Sequence, residues 1–380
     1  MIHEELIDPL EDLIQATNNE IVGIIARRIK SFEGLTPSEI NKLANLSRIK
    51  DIDEIKRLLA ELTERTEQEI QNIFEQSAKE NDKLSENLFK AKNIPQVTYL
   101  SSKKLKSILE RFMDETMGNI LNLSKTSAFV VNGKPTDITK LYTSVINRGV
   151  YQASQGLVDY KTAMRRSIKE LAQSGLQVVE FDTGYNRRLD SQVRTNILDG
   201  LSQMNMAYYE QQGEEFGADG YEISAHGLCA EDHLHIQGKQ YTKQQYQALN
   251  SSLARPIGTM NCRHVAYPII IGVSEPTYTS AELNNMAQKS TESVTYTNLL
   301  GDKKSLKRYE ATQRQRQIET QIRRLKDEKY ALEQLGDTVG MKEVQKKITS
   351  KTKYYKSMSN EMGLAPRLDR LSVSKLDKSR

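Results

Sequence analysis

The chain has 380 residues, of which 37% are hydrophobic and 27% charged, so it can bury a sizeable core and is too apolar for a disordered protein. No apolar run approaches the roughly 20 residues of a membrane-spanning helix, and the N-terminus is acidic where a signal peptide is basic. Two cysteines are too few for a disulfide-rich scaffold. We therefore expect a protein that is made in a cytoplasm and stays there, or in a particle assembled there.

The first 175 residues are predicted to be helical. The segment TPSE contains a capping box, in which Thr36 caps a helix and Glu39 occupies its third position. Apolar residues then repeat at helical spacing over 51–84, and Pro95 ends the pattern. Further helices are expected at about residues 102–123, 138–155 and 159–174, with the turn NGKP at 132–135 between the first two.

Residues 176–285 are predicted to form a small α+β domain. LQVVEF is short and β-branched, and GYEIS follows a glycine-containing turn, so both segments are predicted to be strands. A helix is expected between them, at 185–212. HIQGKQY indicates two short strands around Gly238, and Pro268 in HVAYPIII confines that strand to a sheet edge. SEPTYTSAEL, at 274–283, is interpreted as the exit from the domain.

Three arginines, Arg187, Arg188 and Arg194, lie at the start of the predicted helix over 185–212. Such a group could bind an anion at a helix N-terminus. An exposed helix face explains it equally well, so both interpretations stay open.

Residues 286–380 are predicted to form a linker and a basic helical hairpin with coiled-coil pairing. Apolar residues at helical spacing flank LGDTVG at 335–340, which supplies the turn. The residues from Asp302 onward carry 21 basic and 11 acidic side chains, a net charge of +10, whereas the preceding 301 residues carry −6. This asymmetry suggests a polyanionic partner, although a solvated helix face also explains it. The candidate DNA-binding residues are Arg323, Arg324, Lys346, Lys347, Lys351 and Lys353.

Both cysteines and four of the five histidines fall between residues 226 and 264. Zinc is bound by four cysteine or histidine ligands, which usually come as two closely spaced pairs separated by a loop. The spacings H-x2-C and C-x-H fit two such pairs, but they match no standard zinc-finger spacing. The candidate ligands of a structural zinc are His226, Cys229, Cys262 and His264, with His233 or His235 as alternates.

Three other interpretations of this cluster remain open. The residues could pack and hydrogen-bond in a domain interior, or Cys229 and Cys262 could form a disulfide in an oxidising setting. The cluster could also be catalytic, with Asp232 or Glu231 as a base beside metal-binding histidines. The sequence contains no H-E-x-x-H, G-x-S-x-G, Walker A or G-x-G-x-x-G motif. We therefore expect a protein that is not an enzyme.

The order of several segments carries a resemblance. VEFDTGYNRRLDSQVRTNI is followed by ISAHGLCAEDHLHIQGKQY, then by GTMNCRHVAYPIIIGVSEPTY and a basic helix. In that order the segments resemble the phage minor capsid protein 2 family, among the portal-associated head morphogenesis proteins of tailed phages. The resemblance covers roughly residues 140–370, whereas the first 130 residues match only in being helical. The positions that match the family's motif are His226, Gly238, Asn261, Cys262, His264 and Pro268.

The resemblance implies a structural component of the virion, made in the cytoplasm of a bacterial host and incorporated into the procapsid. Its implied partners are the portal protein, inner capsid or scaffold proteins, and possible double-stranded DNA, with no membrane contact before genome ejection. Cys229 and His235 sit where the family has no fixed residue type, which puts a four-ligand metal site in doubt. The alternatives are a packaged metal-dependent hydrolase or nuclease, and a DNA-binding module without portal contact.

Overall fold

The computed structural model describes residues 6–131, 134–136, 140–145, 160–179, 186–259 and 262–373. It is mainly helical with small antiparallel sheets, so the predicted fold class, mainly α with a small α+β part, is confirmed. None of the described helices combines the length and the apolar composition that a membrane span requires.

The N-terminal region begins with three helices, and the sequence signals at their ends are confirmed. Thr36 Oγ1 accepts a hydrogen bond from the Glu39 amide, and the Glu39 carboxylate accepts one from the Thr36 amide. The second helix ends at Lys92, and the next residue, Asn93, is left-handed with φ of 53°. The helices are α1 (Asp8–Lys30), α2 (Pro37–Lys92) and α3 (Lys103–Thr126).

A β-hairpin interrupts the region that was predicted to be helical throughout. Strands β1 (Ser127–Val131) and β2 (Lys134–Thr136) pair antiparallel, with Val131 opposite Lys134. The two intervening residues in the sequence are Asn and Gly, the strongest short hairpin signal, so the turn was identified but its flanking strands were missed. Of the helix expected at 138–155, residues 140–145 are helical, and the remainder lies outside the described residues.

The same sheet continues into the predicted middle domain, in the order β2–β1–β3–β4. Its other strands follow helix α4, which ends at Gly175 with φ of +64° as the sequence predicted. The long helix α5 then packs on α2, on α3 and on the strand at Ala266–Ile269. The domain boundary proposed at residue 175 stays a prediction. The elements are α4 (Tyr160–Ser174), β3 (Leu176–Val179), β4 (Asn186–Arg188) and α5 (Leu189–Glu215).

A second sheet, in the order β6–β5–β7, forms the small α+β part. Pro268 pairs opposite Tyr221 on the edge strand β7, as predicted. The prediction of two strands around Gly238 was wrong, because only the strand after it forms. Gly238 has φ of +68° in a turn, and residues 231–233 form a 3₁₀ helix. The elements are β5 (Gly220–Ile223), β6 (Gln240–Thr242), α6 (Lys243–Ser252) and β7 (Ala266–Ile269).

The C-terminal hairpin is confirmed, with Gly336 left-handed at its turn (φ of 77°). Its coiled-coil pairing stays a prediction. The segment before it, expected to be an exit and a linker, instead contains a helix and a β-hairpin. Thr279 caps this helix in a capping box with Glu282, which the sequence analysis overlooked. The elements are α7 (Ser280–Thr291), β8 (Ser293–Thr297), β9 (Lys303–Lys307), α8 (Arg308–Leu335) and α9 (Thr338–Glu361).

Helix α8 packs on α1 and α4 as well as on α9, so the basic hairpin is attached to the N-terminal helices. A buried ion network lies at this junction. The Arg188 guanidinium contacts Asp327 Oδ2 and Asp190 Oδ1, each at 3.3 Å, and Gln15 Nε2 donates to Asp327 Oδ1 at 3.1 Å. Burial raises the pKa of Asp190, but the charges of Arg188 and Arg323 and the hydrogen bonds from Arg188 and the Ser191 amide together outweigh it, so that pKa is lowered.

Candidate functional site

The functional site suggested by the sequence lies where two loops of the small α+β part meet. His233 ends the 3₁₀ helix, and Cys262 and His264 lie on the segment that leads into β7. This segment is held beside the end of β5, because the Ser224 amide donates to Val265 O at 2.8 Å and the Val265 amide donates to Ser224 Oγ at 2.9 Å. His233 therefore lies close to Cys262 and His264, although they are about thirty positions apart in sequence.

Three side chains converge in this buried place. Cys262 Sγ lies 3.5 Å from His233 Nδ1 and 3.5 Å from His264 Nδ1. The three potential ligand atoms all lie within 4.8 Å of one another. Cys262 and His264 belong to the predicted ligand set, whereas His233 was only an alternate. We call these three residues the His/Cys cluster.

The other ring nitrogen of each cluster histidine contacts an oxygen. His233 Nε2 lies 2.7 Å from the carbonyl oxygen of Arg255, which can only accept, so Nε2 carries the proton. His264 Nε2 lies 3.3 Å from Gln237 Oε1, which also accepts a hydrogen bond from the His226 amide at 3.1 Å. Both Nδ1 atoms therefore face Cys262 Sγ with their lone pairs when the rings are neutral.

The remaining predicted ligands lie outside this group. The His226 ring stacks on His264 with centroids 4.5 Å apart, and its buried Nε2 has no hydrogen-bond partner among the described residues. Cys229 Sγ donates to Ala230 O at 3.1 Å, and His235 is exposed. Cys229 and Cys262 are both free thiols, so the structure contains no disulfide between them. Asn261 lies outside the described residues.

Burial favours the neutral forms of His226, His264, Cys229 and Cys262. It lowers the pKa of His264 to about 3 and that of His226 to about 4. It raises the pKa of the Cys229 thiol to about 12 and also raises that of Cys262. These shifts disfavour a thiolate nucleophile or a histidine acid at neutral pH without a bound cation.

The two carboxylates considered as catalytic bases are engaged in ion pairs. Asp232 Oδ1 accepts a hydrogen bond from Arg255 Nη2 at 2.8 Å. Glu231 pairs with Lys307 on strand β9. Both carboxylates are therefore already bound to cations of the chain.

The His/Cys cluster opens onto a cavity of about 280 Å³ between the small sheet and helix α8. We call it the arginine-lined cleft, because the C-terminal part of the chain contributes basic side chains to its walls. No sequence motif indicates this cleft, because its arginines come from segments that are distant along the chain. The arginines lining it are Arg255, Arg263, Arg316, Arg367 and Arg370.

The candidate DNA-binding residues differ in exposure. Lys346, Lys347 and Lys353 are exposed on α9, whose opposite face is buried through residues such as Val344 and Ile348. Within the described chain, no ion pair joins these three lysines to an acidic side chain. The three therefore form one cationic surface, which we call the α9 lysine face.

The other three candidates lie elsewhere on the hairpin. Lys351 is half-buried and donates to Gln321 Oε1 at 2.7 Å, across to helix α8. Arg324 is exposed on α8. Arg323 is half-buried beside the acidic groups of Glu11 and Asp190, so its charge is partly balanced within the chain.

Comparison with known proteins gives one match. The sequence model of a family described as phage minor capsid protein 2 matches residues 3–358. A search of curated proteins and a search of solved structures each returned no match. The match extends through the N-terminal helices, where the sequence itself offered only helical periodicity.

Proposed function

The chain belongs to the phage minor capsid protein 2 family, and from that premise we propose that it joins the procapsid beside the portal and contacts packaged DNA. Membership makes it a structural component of the phage head. We further propose that it is made in the host cytoplasm and has no catalytic role, because both carboxylates near the His/Cys cluster are ion-paired.

The α9 lysine face supports the DNA contact. Its three lysines lie on one exposed side of a rigid helix, and the burial of Tyr355 and Met358 on the other side fixes the orientation of that helix. Lysines on one face contact phosphates without reading bases, so binding should be independent of sequence. A protein lining a DNA-filled head needs contacts of this kind.

A salt-titrated DNA-binding assay tests this contact. The triple variant Lys346→Glu/Lys347→Glu/Lys353→Glu should reduce the slope of log affinity against log salt by about 2.7, at about 0.9 for each phosphate contact. The matched control reverses Lys103, Lys104 and Lys106, which are exposed on α3. Both variants change the net charge equally. Equal losses in the two would mean that overall charge, rather than the α9 lysine face, causes binding.

The tip of the β8–β9 hairpin supports docking to another head protein. Leu299 and Leu300 are 64% and 87% exposed at this tip. The tip is fixed, because Asn298 Oδ1 accepts hydrogen bonds from the amides of Leu300 and Asp302, each at 2.9 Å. Two adjacent leucines held in water on an ordered turn are unfavourable unless a partner covers them. We assign them to the contact with the portal or its immediate neighbours.

Incorporation into procapsids tests the docking. The double variant Leu299→Asp/Leu300→Asp should be absent from purified procapsids while it keeps wild-type DNA affinity. Val273→Asp is the matched control, because Val273 is 71% exposed in a turn elsewhere. Normal incorporation of the leucine variant would contradict this assignment. DNA binding that persists without any incorporation of the wild-type chain would favour the alternative, a DNA-binding module without portal contact.

A nuclease assay addresses the remaining alternative, a packaged hydrolase. Purified protein supplied with Zn²⁺ or Mg²⁺ should leave double-stranded and single-stranded DNA intact. Cleavage that is lost in His264→Ala and kept in His235→Ala would overturn the non-enzymatic role.

A further inference from the structure

We propose that His233, Cys262 and His264 bind one Zn²⁺ ion, with a fourth coordination position that opens onto the arginine-lined cleft. The ligand set keeps two residues of the sequence-based candidates and replaces the others with His233. The proposal rests on the geometry of the His/Cys cluster and is independent of the role in the head.

The distances fit tetrahedral coordination. Zinc binds sulfur near 2.3 Å and imidazole nitrogen near 2.0–2.1 Å, which places the two ligand atoms about 3.5 Å apart at tetrahedral angles. Cys262 Sγ lies 3.5 Å from the Nδ1 atom of His233 and also of His264. The two sulfur-to-nitrogen separations are therefore those of ligands around one ion.

The balance of donors and acceptors also calls for a cation. Both Nδ1 atoms present lone pairs to Cys262 Sγ, because both Nε2 atoms contact acceptor oxygens. A cysteine thiol has a single proton, so it can satisfy only one of the two nitrogens. The other would be a buried acceptor without a donor, which is unfavourable. An ion at the centre satisfies the sulfur and both nitrogens together.

The outer contacts match those of metal-binding histidines. Such a residue usually donates its second ring nitrogen to a carbonyl or carboxylate, which fixes the ring and its tautomer. His233 donates to the Arg255 carbonyl, and His264 donates to the amide oxygen of Gln237. Gln237 is itself oriented by the His226 amide, so His226 supports the site from outside the ligand set.

The cleft supplies the fourth position. All three ligands line it, so the side of the ion that faces the cleft is left for water or an exogenous anion. Arg316, Arg370 and Glu319 line the same cleft, so charged side chains of both signs surround this position. Binding requires a thiolate, so one zinc–sulfur bond forms and the Cys262 proton leaves to solvent.

Metal content and cobalt spectroscopy on the full-length, untagged chain test the proposal. After chelation and dialysis, Zn²⁺ should rebind at one ion per chain. Co²⁺ in its place should give a thiolate-to-cobalt charge-transfer band, together with visible bands of four-coordinate geometry. The band requires a cysteine ligand, so it distinguishes this site from adventitious binding by surface histidines.

Matched variants identify the ligands. Cys262→Ser should abolish the cobalt charge-transfer band. Cys229→Ser should keep the band, and it is the matched control because it also replaces a buried thiol. His264→Ala should weaken Zn²⁺ binding more than about 100-fold, because even partners outside the ligand shell contribute 10–100-fold. His235→Ala, at an exposed histidine, should bind as the wild type does.

Two results would overturn the proposal. One is wild-type protein that takes up no Zn²⁺ and shows no cobalt band. The other is a band that is lost in Cys229→Ser and retained in Cys262→Ser. If Cys262→Ser fails to fold, Gln237→Leu provides a milder perturbation, and unchanged Zn²⁺ affinity in that variant and in His264→Ala would equally exclude the site.

Discussion

Two buried polar groups of this protein differ in how their hydrogen bonds and charges are balanced. In the ion network at the α8 junction, the Arg188 cation faces two carboxylates, and Gln15 donates to one of them. In the His/Cys cluster, three ligand atoms face one another and the chain supplies too few protons. The first group holds elements together through one cation that two carboxylates share, whereas the second reaches a cleft, where its unsatisfied ligand atoms can accept a ligand.

The largest expected effect comes from unbalancing the first group. Arg188→Met leaves the carboxylates of Asp190 and Asp327 buried without their cation, which should cost about 3–5 kcal/mol of the free energy of unfolding. Denaturant titration measures it. Lys90→Met, which removes an exposed pair with Glu86, should change the free energy of unfolding far less, because solvent screens that pair. Similar losses of stability in the two variants would show that Arg188 does not stabilise the buried carboxylates of Asp190 and Asp327.

Acid should destabilise the metal-free protein through the second region. His226 and His264 take up protons near pH 6.5 when unfolded, but their folded pKa values are about 4 and about 3. The unfolded state therefore binds more protons between these limits, so stability falls as the pH drops below about 6.5. The loss should approach 1.4 kcal/mol per pH unit for each histidine. His226→Asn should reduce the slope by about half in unfolding titrations at pH 6 and pH 5.

The turn that carries Gln237 should be sensitive to a single methyl group. A Cβ at Gly238 would lie 2.1 Å from Leu283 Cδ2, and the residue has φ of +68°. Gly217 has a similar φ of +74° with nothing near its Cβ position. Gly238→Ala should therefore unfold about 1–3 kcal/mol more easily than Gly217→Ala, because only the first is also overpacked. Equal thermal midpoints would mean that Leu283 moves aside.

The smallest expected effect concerns helix α7, whose Ser290 hydroxyl accepts a hydrogen bond from the Cys229 amide. Thr279→Ala removes the cap that accepts the Glu282 amide at 3.2 Å, at a cost of about 1 kcal/mol. Thr291→Ala, at the exposed end of the same helix, should stay within about 0.5 kcal/mol of the wild type. Chemical denaturation of both variants, followed by circular dichroism, would test the difference.

Sequence patterns predicted the features that depend on neighbouring residues. The capping box at Thr36, the stop at Gly175, the edge position of Pro268 and the C-terminal turn at Gly336 follow from local backbone preferences, and each is confirmed. The β1–β2 hairpin was missed although its Asn-Gly sequence was noticed, because helical periodicity on both sides outweighed the five residues of β1 and the three of β2.

The sequence also predicted the region and the residue types of the candidate site, but not which of those residues lie together. The concentration of histidine and cysteine between residues 226 and 264 is visible in the printed chain. Short spacing favoured His226 and Cys229 as ligands, yet His233 is the residue that lies beside Cys262, and the Cys229 thiol donates to the carbonyl of Ala230 instead. Spacing along the chain does not fix side-chain direction in loops.

The sequence by itself determined the helical class, the ends of several helices, the basic hairpin and the family, because each of these depends on local order along the chain. Only the tertiary structure decided that Arg188 is a buried structural cation, that α8 joins the hairpin to the first helix, and that distant arginines share a cleft with the His/Cys cluster. These features depend on contacts between residues far apart in sequence, and such contacts are set by the packing of whole elements.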